Sequence, residues 1–514
     1  MKKIRISLIL AIVLCLNFVA LVGCNTNKHQ QTDFMPETDA QGEVVTGDGG
    51  QIKNPNEQET DASGEVVTQP KVRYEVPAEG YDGSEVTITF SHTMGQALRD
   101  VLDMYIAEFN KMYPNITIEH SQIGSYDDVR DTIKTELTAG NQPNIAYCYP
   151  DHVALYNITK KVVPLDNFIE SKIEVTDALG NTTVLGFTDE QIADFVPGFY
   201  KEGTAFDAAG TMYTLPMSKS TEVLYYNKTF FEANNLQVPT TWAEMKALCA
   251  KILEIDPNCI PLGYDSESNW FITMCEQNGS AYTSAERGKN FLFNNAENKA
   301  FVKEFRTWYE AGYVTTQEIY GAYTSGLFTE LGNDAPNSYM SIGSSGGAQH
   351  QRPAATNSGY AFDVGIAPIP QVDSSNPKVI SQGPSLCIFD SDNKQEVVAS
   401  WLFVEFLTTN SEFQAAFSMT SGYMPVIKSV MDIPVYASYI ENANGGNNIT
   451  ALAVKVGNEQ ANAYYVSPAF NGSSAARDQV GKLMQYCFVT PTSDIDALLD
   501  EAFKAAIEEC KKAQ

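Results

Sequence analysis

The apolar positions change period several times between residues 86 and 149. Val86-Thr-Ile-Thr-Phe90 alternates with period two, while Leu98, Val101, Leu102, Tyr105, Phe109 and Met112 recur at helical spacing, and Ile116-Thr-Ile118 alternates again. A second helical stretch, Tyr126 to Thr138, is stopped by Gly140-Asn-Gln-Pro143, and Ile145 to Tyr149 reads as a third strand. The order strand, helix, strand, helix, strand predicts a parallel sheet with right-handed crossovers. Open sheets of this kind bind ligands beyond the carboxyl ends of their strands. The candidate loops are therefore Ser91-His-Thr-Met-Gly95, Gly124-Ser-Tyr126 and Tyr149-Pro-Asp151.

A different pattern opens at Tyr213. Met217 to Ser220 is a polar loop, and Thr221 to Tyr226 is rich in β-branched and aromatic residues, so the stretch to Lys228 predicts a strand carrying the chain from one lobe to another. Ser220 then stands at the cleft where the chain crosses. Thr241 and Glu244 form a capping-box pattern before an apolar helix reaching Ile252, and the region to about Ser338 is largely helical, including Asn298 to Tyr309. Trp270 follows the polar loop Asp265-Ser-Glu-Ser-Asn269, so its ring faces either a cleft or a core. Tyr360 to Ile369 and Val379 to Phe389 return as strands, followed by helices over Lys394 to Leu407, Ser474 to Tyr486 and Thr492 to Cys510. A chain that leaves one lobe, builds another and comes back makes discontinuous domains. The expected organisation is an export signal over 1–23, a disordered acidic stalk over 24–84, a first lobe over 85–219 and a second over 220–340. A return to the first lobe over 341–410 and a helical remainder over 411–514, mostly second lobe and hinge, complete it.

Composition narrows the function. A length of 514 residues suits two or three domains, and 43% hydrophobic residues suffice for packed interiors. The net charge of −29 argues against nucleic acid, whose phosphates select basic stripes, and against lying flat on an anionic membrane. The nine cysteines show no metal-like spacing and read as small buried hydrophobes. Lys2, Lys3 and Arg5 precede an apolar run from Ile6 to Val22, and Leu21-Val-Gly-Cys24 resembles the lipobox of bacterial lipoproteins, with Cys24 as the acylated residue. From Asn25 to about Ser84 the chain is polar and acidic, and Thr38-Asp-Ala-Gln-Gly-Glu-Val-Val-Thr46 recurs as Thr60-Asp-Ala-Ser-Gly-Glu-Val-Val-Thr68. Such composition cannot bury enough apolar area to offset ordering.

Motifs for chemistry are few. Gly343-Ser-Ser-Gly-Gly347 matches the nucleophile elbow of α/β-hydrolases, but the only histidine after Ser345 is His350, five residues on. Phosphate-loop, zinc-protease and dinucleotide fingerprints are missing from the sequence. The same Gly343 to Gly347 loop suits anion binding, in which small residues let backbone N–H groups approach phosphate oxygens. Arg477, the only arginine after Arg352, supplies a cation able to pair with phosphate or carboxylate, although a surface salt bridge explains it equally well. His92 reads as a base, a ligand or a structural hydrogen-bonding group.

Leu224-Tyr-Tyr-Asn-Lys228 followed by Pro239-Thr-Thr-Trp-Ala-Glu244, with Ser421-Gly-Tyr-Met-Pro425 later, resembles the crossover strand, following helix and late loop of extracellular solute-binding proteins of ABC importers. The resemblance covers roughly Val86 to the C-terminus. Within that family the chain is similar to the branch that takes sn-glycerol 3-phosphate and glycerophosphodiesters. That branch has a histidine loop like Ser91-His-Thr-Met94, a serine pair like Ser218-Lys-Ser220, a loop like Ser344-Ser-Gly346 and a late arginine like Arg477. The resemblance implies an α/β, two-lobed periplasmic-binding-protein-like fold of type II, with discontinuous lobes joined by hinge strands. It places ligand contacts on Tyr126, Ser220, Trp270, Ser344, Gly383, Tyr423 and Arg477. Ser344, Tyr423, Arg477 and the Gly383 amide would hold the phosphate, and Tyr126 and Trp270 would bound the glycerol. Where the family has a glutamate for the glycerol hydroxyls, this chain has Pro150-Asp151, and Asp151 offers the same group on a shorter arm.

The resemblance further implies a monomer without catalytic activity, cofactor or metal. Its partners would be a small phosphorylated polyol or sugar and the permease subunits of the importer, and a lipid on Cys24 would anchor it to the outer face of the bacterial membrane. One alternative is the same fold binding neutral oligosaccharide, with Trp270 stacking on a sugar face. Another, of a different class, is a surface hydrolase or adhesin.

Overall fold

The computed structural model describes residues 70–514 except 208, 287, 331–336, 358 and 445–447, together with the short strands Glu59–Thr60 and Val66–Val67. The export signal, Cys24 and the rest of the stalk up to residue 69 lie outside the described residues. The first lobe opens with β1 (Val86–His92), α1 (Gln96–Met112), β2 (Ile116–Gln122), α2 (Tyr126–Ala139), β3 (Ile145–Cys148) and α3 (Pro150–Tyr156). Local chemistry sets the start of α2: the Ser125 hydroxyl accepts the Asp128 N–H and the Asp128 carboxylate accepts the Ser125 N–H. Tyr126 is thereby fixed at the carboxyl end of β2. Pro150, whose missing N–H costs nothing in a first turn, starts α3 and puts Asp151 beside it.

The chain then passes through β4 (Leu215–Pro216) into β5 (Ser220–Asn227). The second lobe adds α4 (Trp242–Ile255), β6 (Leu262–Tyr264), α5 (Glu267–Asn278), α6 (Ala296–Glu310), β7 (Val314–Thr316), β8 (Met340–Ser344), β9 (Val364–Pro368) and β10 (Val379–Gln382). β11 (Ser385–Ile388), α7 (Lys394–Thr409), α8 (Ser411–Ser421), α9 (Ile449–Glu459), β12 (Tyr464–Tyr465), α10 (Ser473–Val489) and α11 (Ile495–Lys512) follow.

The first sheet has the order β2-β1-β3-β11-β4, with β1 parallel to β2 and β3, and β11 antiparallel to β3 and β4. The second has the order β7-β6-β8-β5-β10-β12, and β9 also pairs with β5. One core gathers Phe90, Phe109, Trp401 and Phe403, and another gathers Trp242, Trp270, Phe305 and Trp308.

The stretch from Tyr213 to Lys228 does carry the chain between sheets, because β4 pairs in the first and β5 in the second. The return passes directly alongside: the N–H groups of Met217 and Ser218 donate to the Pro384 carbonyl at 3.0 and 3.3 Å. A third strand of contact comes from Met424, which exchanges backbone hydrogen bonds with Lys219 at 2.6 and 3.0 Å. Glu202 fastens the crossing from below. Its carboxylate pairs with the buried Lys219 ammonium and accepts the Ser381 hydroxyl at 3.0 Å, so one side chain grips both the outgoing and returning strands.

Several expectations are corrected. Val379 to Phe389 is two strands in different sheets, broken where Gly383 takes φ 108° and Pro384 offers no donor. Residues 341–410 do not return as a block: β8, β9 and β10 stay with β5, and only β11 and α7 join the first lobe. The remainder after 411 divides: Phe413, Phe417, Met424 and Tyr436 bury themselves in the first core, while β12, α10 and α11 join the second lobe. Residues 70–84 are not stalk. Tyr74 stacks on Phe168 at 5.7 Å, Lys71 pairs with Asp166 at 2.6 Å, and Arg73 pairs with Glu170 at 2.6 Å, so this segment has the aromatic and ionic partners that the more N-terminal composition lacks. β6 and β7, three residues each, fall in a region read as helical because they are too short to display a period.

Gly383→Ala tests the crossing. A Cβ there would lie 2.5 Å from the Ser218 carbonyl oxygen, at a backbone angle that disfavours side chains. The expected result is a loss of about 1–3 kcal/mol in unfolding free energy by chemical denaturation.

Candidate functional site

A cavity of ≈ 40 Å³ opens where the two sheets meet the crossing strands, lined among others by Tyr149, Asp151, Lys219, Gln382, Gly383 and Arg477. That volume holds about three waters. The lobes touch each other across the cleft at Asp151–Ser474 and Arg130–Asp478, both at 3.0 Å.

Arg477 lies in the first turns of α10. Its guanidinium donates to the Asn269 side-chain oxygen, and no carboxylate among the described residues stands within 4.0 Å of it. Asn269 is held in turn by Gln382: the Asn269 amide donates to Gln382 Oε1 at 2.9 Å, and the Gln382 amide donates back at 3.0 Å. A half-buried cation is thus oriented by neutral amides rather than neutralised. Opposite it, Asp151 accepts the Ser474 hydroxyl across the cleft at 3.0 Å. Burial pushes the Asp151 carboxyl up, but His152, Arg477 and the Ser474 hydroxyl together bring it below its ordinary value. It is ionised at neutral pH and free to accept hydroxyl donors.

Tyrosines form the adjoining wall. The Tyr126 ring stacks between Tyr149 (4.3 Å, 18°) and Tyr147 (6.2 Å, 9°), and its hydroxyl is 3.4 Å from that of Tyr423. Tyr423 occupies the space above Gly346, where a Cβ would meet the ring at 2.5 Å. Glycine at 346 thus admits the tyrosine. Ser344 Oγ accepts the Gly346 N–H at 3.1 Å and Ser345 Oγ accepts the Thr221 N–H at 3.2 Å, so both hydroxyls serve the backbone and Ser345 is not poised as a nucleophile. Ser344 sits opposite Glu222 in the β8–β5 register, and Ser220 pairs with Gln382 in the backbone ladder.

Of the residues expected at the site, Asp151, Gly383 and Arg477 line the cavity. Tyr126 and Tyr423 adjoin it through Tyr149, Ser220 lies in the crossing beside Gly383, and Ser344 stands at the end of β8. Trp270 is corrected. It is fully buried in the second core, stacked on Tyr264 at 4.8 Å and packed against Phe305 at 4.2 Å. Its neighbour Asn269 holds the cleft position instead.

His92 is structural. Its Nδ1 accepts the Met94 N–H at 3.1 Å, so Nε2 carries the proton and donates to His120 Nδ1 at 2.8 Å. Burial drives it down to about 3, keeping it neutral. Asn269, Gln382, Tyr149 and the Glu202–Lys219 pair escaped the sequence reading as site residues. Tyr149 belonged to a candidate loop, but nothing local distinguished the two amides from solvated polar residues.

A two-lobed α/β molecule with a polar cleft at its hinge is built as a receptor for a small solute. This chain belongs to the bacterial extracellular solute-binding protein family, whose model matches residues 104–444. It is 25% identical over 378 residues to the sn-glycerol-3-phosphate-binding periplasmic protein UgpB of Escherichia coli K12, covering 71% of this chain and 80% of that protein. The fold is similar to that of UgpB from Mycobacterium tuberculosis in complex with glycerophosphocholine (TM-score 0.64, 17% identity, 83% of this chain and 98% of that one). It is also similar to the cyclic α-maltosyl-1,6-maltose binding protein from Arthrobacter globiformis (TM-score 0.60, 18% identity, 84% and 100%). These likenesses establish the type II two-lobed architecture.

Two variants separate core from cleft. Trp270→Ala should lower unfolding free energy by about 3–5 kcal/mol, while the folded fraction keeps wild-type solute affinity in equilibrium binding. Asp478→Asn removes the pair that joins the lobes, Arg130 Nη1 to Asp478 Oδ1 at 3.0 Å. Solute affinity should then weaken about fivefold, with a larger radius of gyration by solution scattering.

Proposed function

We propose that this chain is the solute-binding component of an ABC importer and captures sn-glycerol 3-phosphate or a glycerophosphodiester by lobe closure. The observation that carries the reading is Arg477, a cation aimed at the cleft by Asn269 and Gln382 and unneutralised at contact distance. In a chain of net charge −29, such a group is where an anionic solute gains a charge-assisted, bidentate contact. Tyr423, Ser344 and the Gly383 amide stand with Arg477 as the phosphate side, while Asp151 and Tyr126 form the hydroxyl side. The relatives named for glycerol 3-phosphate support that choice.

A solute touching both lobes binds the closed form better and shifts the equilibrium towards it. The closed form would be recognised by a membrane permease, and Cys24 would carry the lipid that holds the receptor, as a monomer, at the outer face of the membrane. The solute leaves chemically unchanged. A second reading, a neutral oligosaccharide, draws on the ring face of Tyr149 in the cavity wall. It loses the stacking group expected from Trp270, which is in the core.

A thermal-shift series with glycerol 3-phosphate, glycerophosphocholine and maltose, repeated on Arg477→Ala, decides between them. A phosphorylated solute at about a hundredfold over its Kd should add roughly 2.7 kcal/mol to wild type and nothing to the variant. Stabilisation by maltose alone, or phosphate-solute binding that survives loss of Arg477, refutes the proposal.

A further inference from the structure

Behind Arg477, on the same face of β5 as Ser220, lies a carboxylic acid that the proposed contacts leave unused. Glu222 is 2% exposed, and no cation lies within ion-pair distance of it among the described residues. Its Oε2 accepts the Tyr264 hydroxyl at 2.6 Å, and its backbone carbonyl accepts the Gln460 amide at 3.0 Å, so the group is fixed in place. We propose that Glu222 is a positioning residue that couples capture of an anionic solute at Arg477 to uptake of one proton. The inference rests on the anionic reading of the cleft given above.

The argument is one of charge. The charged side chains lining the cavity are Asp151, Glu202, Lys219 and Arg477, which sum to zero. Glu222 sits just behind them and adds either nothing or one negative charge. When it is ionised the site is net negative and opposes an anion, and when it is protonated that extra negative charge behind Arg477 is gone and the site is neutral. The groups facing Glu222 do not pin it in either state. Tyr264 and Asp265 face it from β6 and its end, Arg477 from α10 and Tyr465 from β12, with Asn269 alongside. Asp265 spends its Oδ1 on the Thr324 N–H and hydroxyl, both at 2.6 Å. Arg477 spends its contact on Asn269. Burial raises the Glu222 carboxyl to about 7, with the Tyr264 and Asn269 hydrogen bonds and the Arg477 charge pulling the other way. A phosphate brought to Arg477 adds negative charge nearby and raises it further, so binding takes up a proton from solvent.

The test is affinity against pH for wild type and Glu222→Gln, an isostere that still accepts from Tyr264. Glycerophosphoglycerol is the main probe, because its diester carries a single negative charge that does not titrate near neutrality and has no cationic headgroup to offset it, and glycerol 3-phosphate is the second. If the solute raises Glu222 by one unit, wild-type Kd should rise about fivefold between about pH 6 and pH 8, and Glu222→Gln should be flat. For the same one-unit rise, calorimetry in buffers of different ionisation enthalpy should count about 0.4 proton taken up by wild type at pH 7 and none by the variant.

A solute-free measurement accompanies these. A buried acid raised from 4.5 to about 7 loses stability as pH climbs through that window, so wild type should fall behind Glu222→Gln in unfolding free energy across it. Matching pH profiles for the two proteins with a bound phosphodiester overturn the inference while leaving the anionic reading intact. Failure of both phosphorylated probes to bind at any pH removes that reading and this inference with it, whatever the stability curve shows.

Discussion

Everything in this molecule hangs on how closely two strands pass each other between the lobes. At Gly383 the returning backbone runs so near Ser218 and Lys219 that no side chain fits, and Glu202 clamps the pair by holding Lys219 from one strand and Ser381 from the other. A buried ion pair of this kind is costly to desolvate and costly to break, so removing one partner leaves an uncompensated charge at the pivot. The crossing therefore behaves as a defined joint rather than a flexible linker. The cavity lies directly on it, which is why small rotations of either lobe change the distance between Asp151 and Arg477.

The cleft is poor in net charge although the chain is strongly acidic. Arg477, which has no carboxylate within ion-pair distance among the described residues, is turned inward by amides that are themselves mutually hydrogen-bonded, so it needs little reorganisation when a solute arrives. The aromatic wall of Tyr126, Tyr149 and Tyr423 is equally preset by stacking and by Gly346. Pre-organisation on both sides leaves lobe movement as the principal adjustment.

Local signals foretold local structure. The Thr241–Glu244 box starts a helix where its spacing says it should, because caps depend only on residues within one turn. The β-branched and aromatic content of Thr221 to Tyr226 marked the crossing strand for the same reason. Long-range partition was less legible: β8, β9 and β10 look like any apolar strands, and only pairing with β5 decides their lobe. Trp270 shows how narrow the margin is at a site. Successive helical residues point about 100° apart, so a one-residue ambiguity in matching α5 exchanges Asn269 in the cleft for Trp270 in the core.

The segment from Lys71 to Tyr81 has a mechanical consequence. It is strapped to the first lobe alone, through Asp166, Glu170, Phe168 and Asp390. A pull on the chain preceding residue 70 is therefore delivered to that lobe without passing through the joint. The second lobe swings unloaded, and tension on the N-terminal side leaves the opening of the cleft unbiased.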